Sequence, residues 1–156
     1  MTNNIIKYAH VAEIIDRIAI EILKMHEFSC KARLVPDPAM ADDLASKARA
    51  AGETAKFQEQ VLRDRLMSEL ENGGEDLANV LIGAIHISVG AGVVSQYENL
   101  KRNAHKVAPD QVNNIAQWDG VSRDACELRG QGKSALNAAL KRFIPDYEYP
   151  IEGRTF

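Results

Sequence analysis

The chain has 156 residues, of which 46% are hydrophobic and 26% are charged, and its 22 acidic residues nearly balance its 19 lysines and arginines. A chain of this length buries roughly 70% of its unfolded surface on folding, so it can form a core without a metal ion or disulfide bonds. We therefore expect one domain over residues 1–156 and no cofactor. The charge balance excludes a polybasic nucleic-acid arm and an acidic disordered tail, and so we expect no nucleic-acid partner.

The cysteines and the N-terminal sequence indicate the compartment. Cys30 and Cys126 lie far apart and neither belongs to a CxxC motif, which favours free thiols in a reducing cytoplasm. Residues 1–23 interleave charged with apolar side chains and lack the basic region and cleavage site of a secretory signal. The most apolar stretch, residues 77–94, contains Asn79, His86 and Ser88, so we expect a buried core helix and no membrane span.

Apolar side chains recur every three or four positions and predict long amphipathic helices over 4–28 and 38–71. The apolar face of the first helix consists of Val11, Ile14, Ile15, Ile18, Ala19, Ile22 and Met25. That of the second consists of Met40, Leu44, Ala48, Ala51, Ala55, Leu62, Leu66 and Leu70, with one gap at Gln58. Asp37 before Pro38 predicts the N-cap of the second helix. Asn72-Gly73-Gly74 predicts its end, and a central third helix follows over 75–103.

Shorter segments follow the third helix. Asp119-Gly120 and Gly130-Gln131-Gly132 act as helix breakers, which predicts helices over 109–118, 121–128 and 134–143. Two prolines predict an extended tail over 145–156, whose aromatic side chains either cover the protein's own core or dock on a neighbour. The expected fold is therefore all-α: an elongated bundle of two or three long helices with a smaller C-terminal helical cap.

A stripe of small and polar residues follows one face of the third helix, at steps of three and four: Asn79, Gly83, His86, Gly90, Val93 and Tyr97. Glycines at this spacing let a second backbone approach closely. Two interpretations follow. The stripe, with Asn79, Gly83, His86 and Gly90 at its centre, is either the interface of a homo-oligomer, with a dimer favoured, or a site of close packing within the chain around a hydrogen-bonded histidine.

A glycine-rich segment precedes the last predicted helix: Arg129-Gly130-Gln131-Gly132-Lys133-Ser134. Free backbone N–H groups and basic side chains at a helix N-terminus form an anion site, and His86 and Tyr97 are possible further contacts to the same ligand. Gly132-Lys133-Ser134 resembles the end of a P-loop, but Glu127 stands where the first P-loop glycine belongs. An ordinary turn with Ser134 as the helix N-cap is the alternative.

Paired carboxylates suggest a second class of function. Glu13 and Asp16 form an ExxD pair, and a denser acidic group follows at Glu69, Glu71, Glu75 and Asp76. This resembles the all-α nucleoside-triphosphate pyrophosphohydrolases, in which carboxylates from two helices hold a metal. The order of that family, an ExxE motif before an ExxD motif, is absent here. The alternative is a solvated acidic surface.

The sequence favours a non-catalytic binding protein with neither catalytic residues nor a metal site. It either occupies a protein partner, as inhibitors and adaptors do, or captures a small anionic, nucleotide-like ligand at an oligomer interface. The expected ligand contacts are Arg129, Gly130, Gly132, Lys133, Ser134, His86 and Tyr97. A metal-dependent nucleotide hydrolase and a structural subunit of a larger assembly are the alternatives.

Overall fold

The computed structural model describes the backbone of residues 2–106 and 109–143, and the side chains of residues 11–106, 110–111 and 113–143. This part of the chain contains four α-helices and no strand, which confirms the all-α class. The helices are α1 (Thr2–Leu34), α2 (Pro38–Glu69), α3 (Gly74–Lys106) and α4 (Ile115–Phe143), with a 3-10 helix (Pro109–Asn114) before α4. The predicted tail over 145–156 lies outside the described residues.

The boundaries around α2 follow the local sequence signals. The carboxylate of Asp37 accepts a hydrogen bond from the backbone N–H of Ala39, and Pro38 occupies the first turn, as the sequence predicts. After α2 ends, Gly73 adopts a φ of 78°, a left-handed conformation that glycine reaches without steric cost. Glu75 and Asp76 lie in the first turn of α3, where their charges stabilise the positive end of the helix dipole.

The helices pack most extensively as two pairs, α1 against α2 and α3 against α4. One core cluster joins α1, α2 and α3 and includes Ile18, Ile22, Leu62, Leu66 and Ile82. A second cluster joins the C-terminal end of α1 to α3 and α4 and includes Cys30, Val93, Tyr97, Trp118 and Val121. Burial of these apolar side chains is the main force that holds the two pairs together.

The apolar face predicted for α1 is confirmed, since all seven of its residues belong to the first core cluster or pack against it. The face predicted for α2 is confirmed in its central part only. Met40 is 56% exposed and Leu70 is 39% exposed, because they lie near the two ends of the helix.

The predicted break-up of the C-terminal half is wrong. The helix predicted over 109–118 is partly the 3-10 helix, and α4 replaces the separate helices over 121–128 and 134–143. The glycines that indicated breaks serve tertiary contacts instead. A Cβ atom on Gly120 would meet the guanidinium end of the Arg33 side chain, which can move aside. One on Gly132 would lie 2.7 Å from the Cβ of His86 and 2.8 Å from the carbonyl oxygen of Gly83, which cannot move as easily. Close packing therefore outweighs the roughly 1 kcal/mol that a glycine costs inside a helix.

The predicted core helix α3 contains an 18-residue window with a mean hydropathy of 1.9, and 33% of that window is buried in the protein. By length and composition alone, this helix could also cross a membrane. A core helix of a helical bundle satisfies the same criterion. The cytoplasmic, membrane-free location therefore stays a prediction.

Candidate ligand-binding cleft

The glycines of the α3 stripe form a seam against α4. A Cβ atom on Gly83 would lie 2.8 Å from the carbonyl oxygen of Gly132, and one on Gly90 would lie 2.9 Å from that of Ala125. Real Cβ atoms do not approach a backbone oxygen so closely, so only glycine allows the two helices this spacing. Of the two interpretations of the stripe, packing within the chain holds, and this face of α3 is not open to a second copy.

The polar members of the stripe have partners inside the protein. Asn79 accepts a hydrogen bond of 3.1 Å from Nε of Arg63 on α2. The phenol of Tyr97 is buried beside Cys30 on α1, and burial together with a hydrogen bond to the Cys30 thiol raises the pKa of Tyr97 well above its ordinary value. Tyr97 therefore belongs to the second core cluster.

The anion site predicted at residues 129–134 requires free backbone N–H groups at a helix N-terminus, and the structure has no helix N-terminus there. Gly130, Gly132, Lys133 and Ser134 lie in the middle of α4, so their backbone groups belong to a continuous helix and there is no helix N-terminus at Ser134. The Arg129 side chain packs against Gly90, and its Nε atom is buried without a hydrogen-bond partner among the described residues.

A cleft of about 710 Å³ opens between α1, α2 and α4, and His86 from α3 also lines it. This volume is within the range of roughly 300 to 1,000 Å³ found for small-molecule sites. Its apolar lining includes Ile22 and Met25 from α1 and Leu128 from α4. Of the residues predicted to contact a ligand, only His86 lines this cleft.

A buried histidine–carboxylate pair lies among the residues that line the cleft. Nε2 of His86 donates a hydrogen bond of 2.5 Å to Oε1 of Glu59, and the two side chains are 16% and 12% exposed. A carboxylate can only accept hydrogen bonds, which places the donated proton on Nε2. Burial makes this pair sensitive to the loss of either partner, because the remaining group would keep its cost of desolvation.

His26 is a second buried imidazole in the lining, with only 4% of its surface exposed. Its Nε2 atom has no hydrogen-bond partner among the described residues. Burial lowers the pKa of His26, and the nearby Asp124 carboxylate opposes this shift in part. The ring is therefore neutral at pH 7, and Nε2 offers either a donor or an acceptor according to the tautomer.

Charged side chains on α2 and α4 flank the cleft. Arg49, Glu53 and Lys56 follow one face of α2 at steps of four and three. Asp124 and Glu127 lie on α4, and the Asp124 carboxylate pairs with the Arg33 guanidinium at 2.9 Å. Glu59, also on α2, is buried and hydrogen-bonded to His86, so the remaining charged residues of the α2 wall carry a formal charge of +1. The α4 wall carries a formal charge of −2 before the contribution of Arg33 is counted.

The acidic groups that suggested a metal-dependent hydrolase do not line this cleft. Glu13 pairs with Arg17 on its own helix at 2.9 Å, and Asp76 pairs with Arg142 at 2.7 Å. Among the described residues, no group of three or more His, Cys, Asp or Glu side chains is arranged to hold a metal ion. Carboxylates that already neutralise cations at separate places do not form a common coordination site.

Sequence reasoning missed most of this cleft, although it contained one usable signal. The interruption in the apolar repeat of α2 occurs at Glu59, between the buried Ala55 and Leu62, rather than at Gln58. A carboxylate at a core position needs a partner, and His86, on a predicted core helix, was a candidate. His26 likewise follows Ile22 by four residues and continues the apolar face of α1.

Arg49, Lys56, Asp124 and Glu127 carry no comparable signal, because charged residues on the flank of an amphipathic helix are common in soluble proteins. Comparison with protein-family models, with curated proteins and with solved structures finds no match to this chain.

Proposed function

We propose that this is a non-catalytic binding protein that holds a small molecule in the cleft between α1, α2 and α4. The observation that carries the proposal is a cleft of about 710 Å³ lined by His26, a buried imidazole whose Nε2 atom has no hydrogen-bond partner among the described residues. A buried polar atom without a partner costs about 1 to 3 kcal/mol, and a ligand that hydrogen-bonds to it offsets that cost. An apolar lining with few polar groups is typical of such sites.

The hydrogen-bonding pattern favours binding over catalysis. Nε2 of His86 is occupied by Glu59, and no hydrogen bond among the described residues joins the Ser29 hydroxyl in the lining to either histidine. A nucleophile normally needs an adjacent base within hydrogen-bonding distance. The arrangement therefore supports recognition of a ligand by fixed polar groups.

A protein partner, as for an inhibitor or adaptor, is the competing proposal, and the exposed apolar side chains of α2 are its best support. Phe57 is 65% exposed, Met40 is 56% exposed and Met67 is 53% exposed. At 100° per residue these three positions point in different directions around the helix axis. They form no common face for a partner, and so the cleft supports a function better than this surface does.

Native mass spectrometry of the purified protein tests the cleft. The wild-type protein is expected to retain a co-purified small molecule, or else to bind members of a fragment library in ligand-observed NMR. Gln131→Trp places a large side chain at the lining of the cleft and should abolish binding. Ala138→Trp makes the same change at an exposed position two turns further along α4, outside the lining, and should preserve it.

Equal binding by both tryptophan variants would place the ligand elsewhere on the protein. A wild-type protein that carries no small molecule and binds no fragment would overturn the proposal.

A further inference from the structure

We infer that the ligand of the cleft is an amphipathic zwitterion, with its acidic group at the α2 wall, its ammonium group at the α4 wall and an apolar part between them. This inference rests on the proposed function and specifies its ligand class. It also replaces the predicted anionic ligand, because the lining offers opposite charges on two walls rather than a cluster of cations.

The charge on the α2 wall comes from cations that have few competing partners. Lys56 takes part in no ion pair among the described residues, and Arg49 donates one hydrogen bond of 3.1 Å to the Ser46 hydroxyl. Glu53 lies between them in sequence and likewise has no ion pair within the part of the chain that the structure describes. The second carboxylate of this wall, Glu59, is buried against His86, so Arg49 and Lys56 outnumber the one carboxylate left beside them and favour an acidic group.

The α4 wall is complementary to the α2 wall. Glu127 takes part in no ion pair among the described residues, whereas Asp124 is already neutralised in part by Arg33. No ion pair joins Arg49 or Lys56 to Asp124 or Glu127, although all four side chains line the same cleft. The opposite charges are therefore held apart across the space that a ligand with both charges would bridge.

The residues that line the interior of the cleft indicate the chemistry of the central part of the ligand. Ile22, Met25 and Leu128 provide apolar contacts, and the buried imidazole of His26, whose Nε2 atom has no partner among the described residues, lies beside them in the lining. A molecule with charged ends, an apolar body and one central hydrogen-bonding group matches this order of surfaces. A short peptide with apolar side chains has all of these features, since its amide supplies the central polar group.

Four forms of one dipeptide test the inference by isothermal titration calorimetry: leucyl-phenylalanine, its N-acetyl derivative, its C-terminal amide and the doubly blocked compound. The free dipeptide is expected to bind most tightly, and each block should weaken binding roughly fivefold, as expected for the loss of one partly exposed charge pair. Because the four compounds share one apolar body, the differences report the charges.

Variants assign each charge to its wall. The double variant Arg49→Gln/Lys56→Gln should lose the preference for a free carboxylate and keep the preference for a free amine. Glu127→Gln should do the reverse. Lys133→Gln removes a cation from an exposed position of α4 outside the lining and should keep both preferences.

The outcomes separate this inference from the proposed function. If the amide or the N-acetyl derivative binds best, the ligand is a cation or an anion and the zwitterion is excluded. If no form of the dipeptide binds but fragments still enter the cleft, the ligand class is wrong and the binding function stands. If neither dipeptides nor fragments bind, both proposals fail.

Discussion

The seam between α3 and α4 and the cleft between α1, α2 and α4 solve the same packing problem in opposite ways. In the seam, glycines at positions 83, 90 and 132 bring two backbones together and leave no space for a side chain. In the cleft the helices lie further apart, and the space between them contains two histidines and a buried carboxylate. Close packing and open space therefore lie between different helices, and α3 contributes to both regions.

His86 connects the two regions. A Cβ atom on Gly132 would lie 2.7 Å from the Cβ atom of His86, so His86 borders the seam. Its imidazole ring is hydrogen-bonded to Glu59 at the cleft. The close packing of α4 against α3 therefore restricts the position of the His86 Cβ atom, and with it the position of a side chain that lines the cleft. Sites held on rigid helices keep their geometry better than sites on loops.

The largest expected effect comes from breaking the buried pair of the cleft. His86→Leu leaves the Glu59 carboxylate without its donor and should lower the free energy of unfolding by about 3 kcal/mol, measured by urea denaturation. The double variant His86→Leu/Glu59→Met removes both polar groups and should recover most of this loss. Arg17→Ala, which removes an exposed pair on α1, is the control and should cost less than about 1 kcal/mol. A single variant as stable as the wild type would show that the pair contributes nothing.

The second largest expected change in unfolding free energy concerns the glycine seam between α3 and α4. Gly132→Ala places a methyl group 2.8 Å from the carbonyl oxygen of Gly83 and should destabilise the protein by about 2 kcal/mol. Gly130→Ala changes the same helix two residues away, where a Cβ atom meets nothing within 4 Å, and should stabilise it by up to about 1 kcal/mol. Thermal and urea unfolding of both variants measure whether each alanine lowers or raises the free energy of unfolding. Equal effects of the two alanines would contradict the tight seam.

A smaller effect concerns the second core cluster. Tyr97→Phe removes the phenol that hydrogen-bonds with Cys30 and should cost about 1 kcal/mol at pH 7. The raised pKa of Tyr97 means that the unfolded state ionises first as the pH rises above 10.0, so this residue's contribution to stability is lost there. The variant should lack that part of the alkaline decline in the unfolding free energy. An unchanged alkaline profile would place the phenol in water.

The smallest expected effect is a decline of the unfolding free energy as the pH falls below neutral. Because burial lowers the pKa of His26, the unfolded state takes up a proton as the pH falls below 6.5 while the folded state does not. Stability that is complete above pH 6.5 should therefore decline as the pH falls toward the lowered pKa. His26→Gln should reduce this decline, and the exposed His105→Gln should keep it. Unfolding free energies measured between pH 7 and 5 decide between these outcomes.

Sequence reasoning predicted the elements with strong local signals. The apolar repeat of α1, the Asp37 cap and the end of α2 before Gly73 are each determined within a few residues, and each is found in the structure. The Gly120 and Gly132 positions were misassigned as breaks, since a glycine that ends a helix and a glycine that allows close packing look the same in one sequence. A Cβ atom on Gly130 would meet no atom of the described residues within 4 Å, and the structure does not explain the presence of this glycine within α4.

The candidate site was less predictable than the fold. His86 was identified because it lies on a conspicuous stripe, but its partner Glu59 is 27 residues away on another helix. The site residues around Arg129 were predicted from a glycine-rich turn at a helix N-terminus, but this segment lies inside the continuous helix α4. A site assembled from four helices depends on distances that no short segment encodes.

By itself the sequence determined the all-α class, the first three long helices, the apolar face of α1, the central part of that of α2 and the ends of α2, because these depend on spacing and on hydrogen bonds between near neighbours. The tertiary structure alone decided that α4 is continuous, that the α3 stripe packs within the chain and that the polar residues of four helices meet in one cleft. The physical reason is that a glycine or a buried charge has a local cost, and only the partner across the interface determines whether that cost is offset.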